Sequence, residues 1–158
     1  MARISEIHYN DATVGIFGPE FVEIALSSAD FARSGDFSLA YYAADGTLAA
    51  TVRLDDPLLT TPGQSTHHAN PAAGPLNGTL IYHDAESHEY AVVIDSSVLG
   101  MRFSVPDAVG QAAALALVDG TTVLAFWDVT IEVPGLDDSG PVTAVEGPAT
   151  GLTSETVL

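Results

Sequence analysis

Lysine is absent from all 158 residues, and so is cysteine. Arg3, Arg33, Arg53 and Arg102 are the only permanent cations against 21 Asp and Glu, which sets the net charge at −17. A nucleic-acid-binding surface neutralises phosphates with clustered Lys and Arg, and this chain has no cluster to present. An anionic membrane surface would repel it for the same reason. Without cysteine there are no disulfides, no thiol chemistry and no thiolate metal site, although extracellular proteins need not carry disulfides. No stretch approaches the ~18 to 20 apolar residues of a membrane helix, so membrane insertion is not expected. The opening Met1-Ala2-Arg3-Ile4-Ser5-Glu6 has neither the basic nor the apolar region of a secretory signal. A signal already removed, an export route that uses none, and retention where the chain was made all stay open.

Hydrophobic residues make up 47% of the chain, too many for disorder, and charged residues only 16%. The acidity therefore comes from missing bases rather than an excess of acids. A chain of this length can bury about two thirds of its unfolded surface, which fits a single domain spanning 1–158. Its surface suits divalent cations, or protein partners with basic or apolar faces.

Short-range patterning is that of strands. Ile4-Ser5-Glu6-Ile7-His8-Tyr9 alternates with period two, and residues 20–26 place Val22, Ile24 and Leu26 on one face, leaving Glu20 and Glu23 for solvent or a paired group. Asp45-Gly46 separates two β-rich runs at 37–43 and 47–54, and Asp119-Gly120 separates two more at 112–118 and 121–127. Asp-Gly in that setting predicts a hairpin, because glycine accepts the positive φ of the tight turn. The alanines of 111–118 favour helix. The run is short, however, and lies between Gly110 and an Asp-Gly turn, so it reads as a buried strand. Residues 79–83 and 89–95 read as two further strands around an acidic, His-containing turn. The tract 55–78 holds four prolines and three glycines without periodicity. It is expected to be an extended insertion loop, which at that length is functional, mobile or clamped to a neighbour. Seven or so short strands punctuated by turns imply an all-β fold, an antiparallel β-sandwich.

Several tracts, in order, resemble the bacterial lamin-tail-type domain. Ile4-Ser5-Glu6-Ile7-His8-Tyr9-Asn10 is similar to that family's opening "I-x-E-I-x-Y" strand, and Glu20-Phe21-Val22-Glu23-Ile24 to its "G-E-[FW]-[VI]-E-[IL]", with Pro19 in place of the glycine. Ser34-Gly35-Asp36-Phe37-Ser38-Leu39 resembles "L-S-G-W-S-L", with one extra residue and Phe37 for the tryptophan. Ala114-Leu115-Ala116-Leu117-Val118-Asp119-Gly120 is similar to the "I-A-L-V-D" strand, and Gly147-Pro148-Ala149-Thr150-Gly151-Leu152-Thr153-Ser154 to the "G-P-A-A-G-M-T-S" tract. The resemblance implies an immunoglobulin-like sandwich and a module that accompanies secreted nucleases, adhesins or other surface proteins. Fold alone does not fix function. Members of that family continue past the last tract into one more apolar strand, so a sheet edge near residues 111–127 is expected to be covered by a neighbouring chain, by this chain's own loop, or by further sequence.

Candidate sites are few. His83 and His88 bracket Asp84 and Glu86, and imidazole with carboxylate suits a transition metal; His67 and His68 adjoin within the long tract. No ligand motif is matched, so solvated loop histidines are the expectation. Asp137 and Asp138, beside Gly135, Ser139 and Gly140, offer hard oxygens for a weak calcium site, and Asp55-Asp56 and Asp84 with Glu86 offer similar pairs. None has the regular spacing of a calcium loop, and calcium is the one cofactor the sequence leaves room for. Glu6 and Glu23 face each other if their strands are neighbours, and a close carboxylate pair shifts pKa values as in acid catalysis. Phe126 and Trp127, adjacent on one strand, point to opposite faces, with the tryptophan expected in the core. No nucleophile elbow, phosphate loop or His-Glu-x-x-His motif is present, and no enzyme activity is expected.

These readings converge on a non-catalytic structural or interaction module of a secreted, cell-surface or particle assembly, acting through protein partners or self-assembly. The alternative is an accessory substrate- or carbohydrate-binding domain of a secreted hydrolase such as a nuclease.

Overall fold

The computed structural model of the chain describes residues 1–8, 21–55, 60–65, 79–83, 89–95, 112–129 and 140–156. Ten strands form two five-stranded sheets among them. The first sheet has the order β1 (Arg3–His8), β2 (Phe21–Ser27), β7 (Glu89–Asp95), β6 (Thr79–His83), β5 (Thr60–Ser65). The second has the order β10 (Glu155–Thr156), β9 (Thr122–Asp128), β8 (Ala114–Asp119), β3 (Phe37–Tyr42), β4 (Leu48–Arg53). Pairing is antiparallel except at β5–β6 and β9–β10, and the described residues are mostly strand with almost no helix, an all-β arrangement.

Period-two alternation builds the core. Val22, Ile24 and Leu26 of β2 with Val92 and Ile94 of β7 join Phe37, Leu39 and Tyr41 of β3 and Leu115 and Leu117 of β8 in one buried cluster, so both sheets contribute to it. Each such aliphatic or aromatic side chain contributes about 1.5–3 kcal/mol through burial. The intervening residues of the second sheet are buried as well. Ala40, Tyr42, Ala114, Ala116, Val118 and Phe126 form a separate cluster with Val142, Ala144 and Ala149. Strands covered on both faces read as continuous apolar runs, which is why residues 112–118 show no alternation: every one of them is buried.

Both Asp-Gly pairs close hairpins, β3–β4 and β8–β9, with Gly46 at φ +81° and Gly120 at +58°. The link between the sheets carries a one-turn helix, α1 (Ser28–Phe31), which the sequence reading did not anticipate. Its start is set by Ser27, whose Oγ accepts from the Asp30 amide at 3.2 Å and donates to Asp30 Oδ2 at 2.7 Å, a reciprocal cap. That turn lays Phe31 flat on Tyr90 of β7, with ring centroids 4.0 Å apart and planes 4° from parallel.

The tract 55–78, expected as one extended loop, contains β5, which pairs with β6 at Thr60↔Thr79 and Ser65↔Ile81. The register is irregular between those points, where Pro62 and Gly63 fall. An edge position tolerates proline, because one side of the strand needs no partner for its N–H. Threonine also favours extended backbone without apolar alternation. The rest of the tract lies outside the described residues, apart from Asp55. No described helix is long and apolar enough to cross a membrane.

Candidate functional site

Most sequence candidates for metal binding, namely His67, His68, Asp84, Glu86, His88, Asp137, Asp138 and Asp56, lie outside the described residues. His83 is the last residue of β6, in register with Tyr90. Among the described residues no group of three or more His, Asp or Glu is arranged to hold a metal ion. Glu6 and Glu23 are indeed register partners, brought opposite each other by an irregularity between Ile4 and Glu6. Ser5 intervenes: its Oγ donates to Glu23 Oε1 at 2.7 Å, giving that half-buried carboxylate a structural partner.

Each arginine among the described residues is likewise engaged. Arg3 of β1 forms a two-pronged pair with Glu89 of β7, at 2.5 and 2.7 Å, reaching across β2. Its strand partner there is Ala25 and, beyond that, Ala91, small residues that leave room for the bridging side chains. Arg53 reaches Asp55 Oδ2 at 2.7 Å. Arg33 is the most connected: it forks onto Asp119 at 2.8 and 2.6 Å, touches Asp30 at 3.3 Å and Asp36 at 3.6 Å, and lies 4.5 Å over the Phe37 ring. It thereby ties the end of α1 to the tip of the β8–β9 hairpin, one element from each side of the core. Two carboxyl groups are held below the usual carboxylate range as a result. Asp30 is lowered chiefly by the Ser27 hydroxyl, with the N-terminal ammonium and Arg33 adding to it, and Asp119 chiefly by the Arg33 guanidinium.

The second feature is the C-terminal tract 140–156, which crosses the outer face of the second sheet as a strap. It is folded on itself through Thr143↔Thr153, with Ala144 N donating to Leu152 O at 3.0 Å, Gly151 N to Ala144 O at 2.8 Å and Ser154 N to Val142 O at 2.8 Å. Ser154, buried, returns a bond by accepting from Val142 N at 2.8 Å. Bonds outside the β10 ladder also fix the strap to the sheet. Val145 N donates to Gly46 O at 3.0 Å, Ala149 N to the Tyr42 hydroxyl at 2.9 Å, and Leu48 N to Glu146 Oε1 at 2.8 Å. Burial pushes the Tyr42 phenol up from its ordinary pKa, with the Glu146 charge adding to it.

Two glycines make that close approach work. A Cβ on Gly46 would collide with the Thr143 carbonyl oxygen, and one on Gly147 (φ +74°) would lie 2.9 Å from Tyr42 Oη and 3.2 Å from Leu48. Tyr42 packs edge-on against Phe126 at 5.1 Å, so the strap roofs two large aromatics. Trp127, expected in the core, is half-buried and packs against the margin of the inter-sheet cluster. Phe126 takes the other face and is buried there because the strap covers it.

Beyond the strap, Glu155 and Thr156 pair in parallel with Trp127 and Asp128, so the chain itself covers that end of the β9 edge. Neither the strap nor the Arg33 hub was identified as a site from sequence. The signals available were the Gly-Pro pair at 147–148 and the alanines of 112–116, whose small side chains admit an overlying segment.

No family model, curated protein or solved structure matches this chain.

Proposed function

We infer that the chain is a non-catalytic structural or interaction module, an immunoglobulin-like β-sandwich of lamin-tail type that works in a secreted, cell-surface or particle assembly. The observation that carries this reading is where the polar chemistry goes. Among the described residues, arginines, serines and a buried tyrosine are spent on joining one element to another: Arg33 to Asp119, Arg3 to Glu89, Ser5 to Glu23, Ser27 to Asp30 and Tyr42 to Ala149. Such a scaffold keeps its shape while presenting an acidic exterior to proteins, with no cation cluster for nucleic acid. The tracts that resemble the lamin-tail family, which follow one another along the chain in that family's order, support the same reading. Protein partners or further copies of the chain are the ligands in this reading, and export precedes assembly.

Size-exclusion chromatography with light scattering tests it, run from micromolar to near-millimolar protein at physiological salt, with and without calcium. Concentration-dependent association is the expected result. A strict monomer in every condition counts against self-assembly. Saturable binding of glycans by that monomer would favour the accessory domain of a secreted hydrolase instead.

A further inference from the structure

We propose that the strap 140–156 is exchangeable, and that the groove it fills on the outer face of the second sheet accepts the same segment from a second copy of this chain. This rests on the assembly reading above and names both the partner and the contact.

Three observations carry the inference. First, the strap holds its own shape. Its internal bonds include Ala144 to Leu152, Gly151 to Ala144, the reciprocal pair of Val142 and Ser154, Leu152 to Ala149 at 2.9 Å, and Thr143 Oγ1 with Thr153 Oγ1 at 2.9 Å. The bonds of Val145, Ala149 and Glu146, with the β10 ladder, tie it to the sheet. A segment with a bonded structure of its own can leave as a unit.

Second, the strap's buried side chains are small, while what it covers is large. Only Val142, Ala144, Ala149 and Ser154 are buried along it, whereas Val145 stays 60% and Leu152 45% exposed. Its departure bares Tyr42 and Phe126 together with Ala40, Ala114 and Ala116, an apolar face that favours recapture of a strap from any copy. Third, the fit is written in backbone and glycine geometry, at Gly46 against Thr143 and Gly147 against Tyr42, so the groove selects this sequence and not any apolar peptide. Exchange between copies keeps every one of these contacts, the low-cost route to a closed dimer.

The test uses full-length chains with complementary defects. Gly147→Ala spoils the strap and leaves the groove intact, while Gly46→Ala spoils the groove side and leaves the strap intact. Mixing the two is expected to give a heterodimer by light scattering that neither forms alone. In a second arm, a fluorescent synthetic peptide of residues 140–156 is titrated into Gly147→Ala. Saturable binding is expected, weakened at least about tenfold when the peptide itself carries Gly147→Ala, since the same clash then recurs on the bound segment. If Gly147→Ala is unfolded alone, recovery of its near-ultraviolet circular dichroism on adding the native peptide supports the proposal equally. No heterodimer, no peptide binding and no recovered fold overturns it. A native chain that self-associates while both arms fail removes strap exchange and leaves the assembly reading standing. A native chain that stays monomeric at every concentration overturns exchange between copies, even where the variant binds the peptide.

Discussion

Gly46 and Gly120 occupy the same place in two Asp-Gly hairpins, yet their surroundings differ. A Cβ on Gly120 meets nothing within 4 Å, whereas one on Gly46 runs into the Thr143 backbone. Gly120→Ala is expected to cost only the left-handed strain of a non-glycine residue, about 1–2 kcal/mol. Gly46→Ala adds displacement of the strap and is expected to cost about 3 kcal/mol or more. Urea unfolding of the two variants side by side measures the difference, and equal losses would mean the strap does not press on that turn. Asp119 gives a pH prediction. Its folded pKa is depressed by Arg33, so the stability it supplies is complete above the unfolded carboxylate value of about 3.9. That stability is lost as pH falls through the lower folded value. The same sign holds for Asp30. Asp119→Asn is therefore expected to lower the urea midpoint at pH 7 and to flatten its fall below about pH 4. An acid limb as steep as the parent's would assign the loss to other carboxyls.

At the scale of elements, the strap and the second sheet are completed by one phenol. Tyr42→Phe removes the acceptor for the Ala149 amide and leaves a buried donor without its partner. The expected loss is about 1–3 kcal/mol, seen as a lower urea midpoint with an unchanged slope. A loss near zero would show that the amide finds water.

How far these elements were legible depends on what encodes them. The hairpins at Asp45-Gly46 and Asp119-Gly120 are written in turn chemistry, and β1, β2 and β7 in alternation at Ile4, Val22, Ile24, Val92 and Ile94. Local sequence was enough for those. The strap has no period: Val142, Ala144 and Ala149 are unevenly spaced, and its docking depends on Gly46, about a hundred residues earlier in the chain. β5 is a backbone pairing through Thr60 and Ser65 with no apolar face to announce it. Arg33 and Asp119 are 86 residues apart, and only the fold brings them within 2.6 Å. Phe126 and Trp127 show the same division. Their opposite directions followed from strand geometry, while the burial of Phe126 required a covering segment that periodicity does not reveal.

For the molecule as a whole, the charge of −17 sets the long-range term. Self-repulsion of that size opposes compaction and association alike. Raising salt from low concentration to about 0.15 M shortens the screening length to about 8 Å. Stability is expected to rise with it, since the unbalanced acids outweigh the few exposed ion pairs that salt weakens. A urea midpoint that falls with salt would reverse that ranking. The same screening lets a second copy approach and take up a strap, which joins the charge to the central claim: the strap is a separable element that both finishes this sheet and can finish another's. Native-state amide hydrogen exchange tests that claim most directly. The amides of Val145 and Ala149, which bond the strap to the sheet, are expected to exchange through an opening clearly lower in free energy than that of the β3 and β8 amides, with a smaller denaturant dependence that reflects the limited surface the strap covers. Equal opening free energies with the same denaturant dependence would mean the strap leaves only when the whole protein unfolds, and would contradict the account.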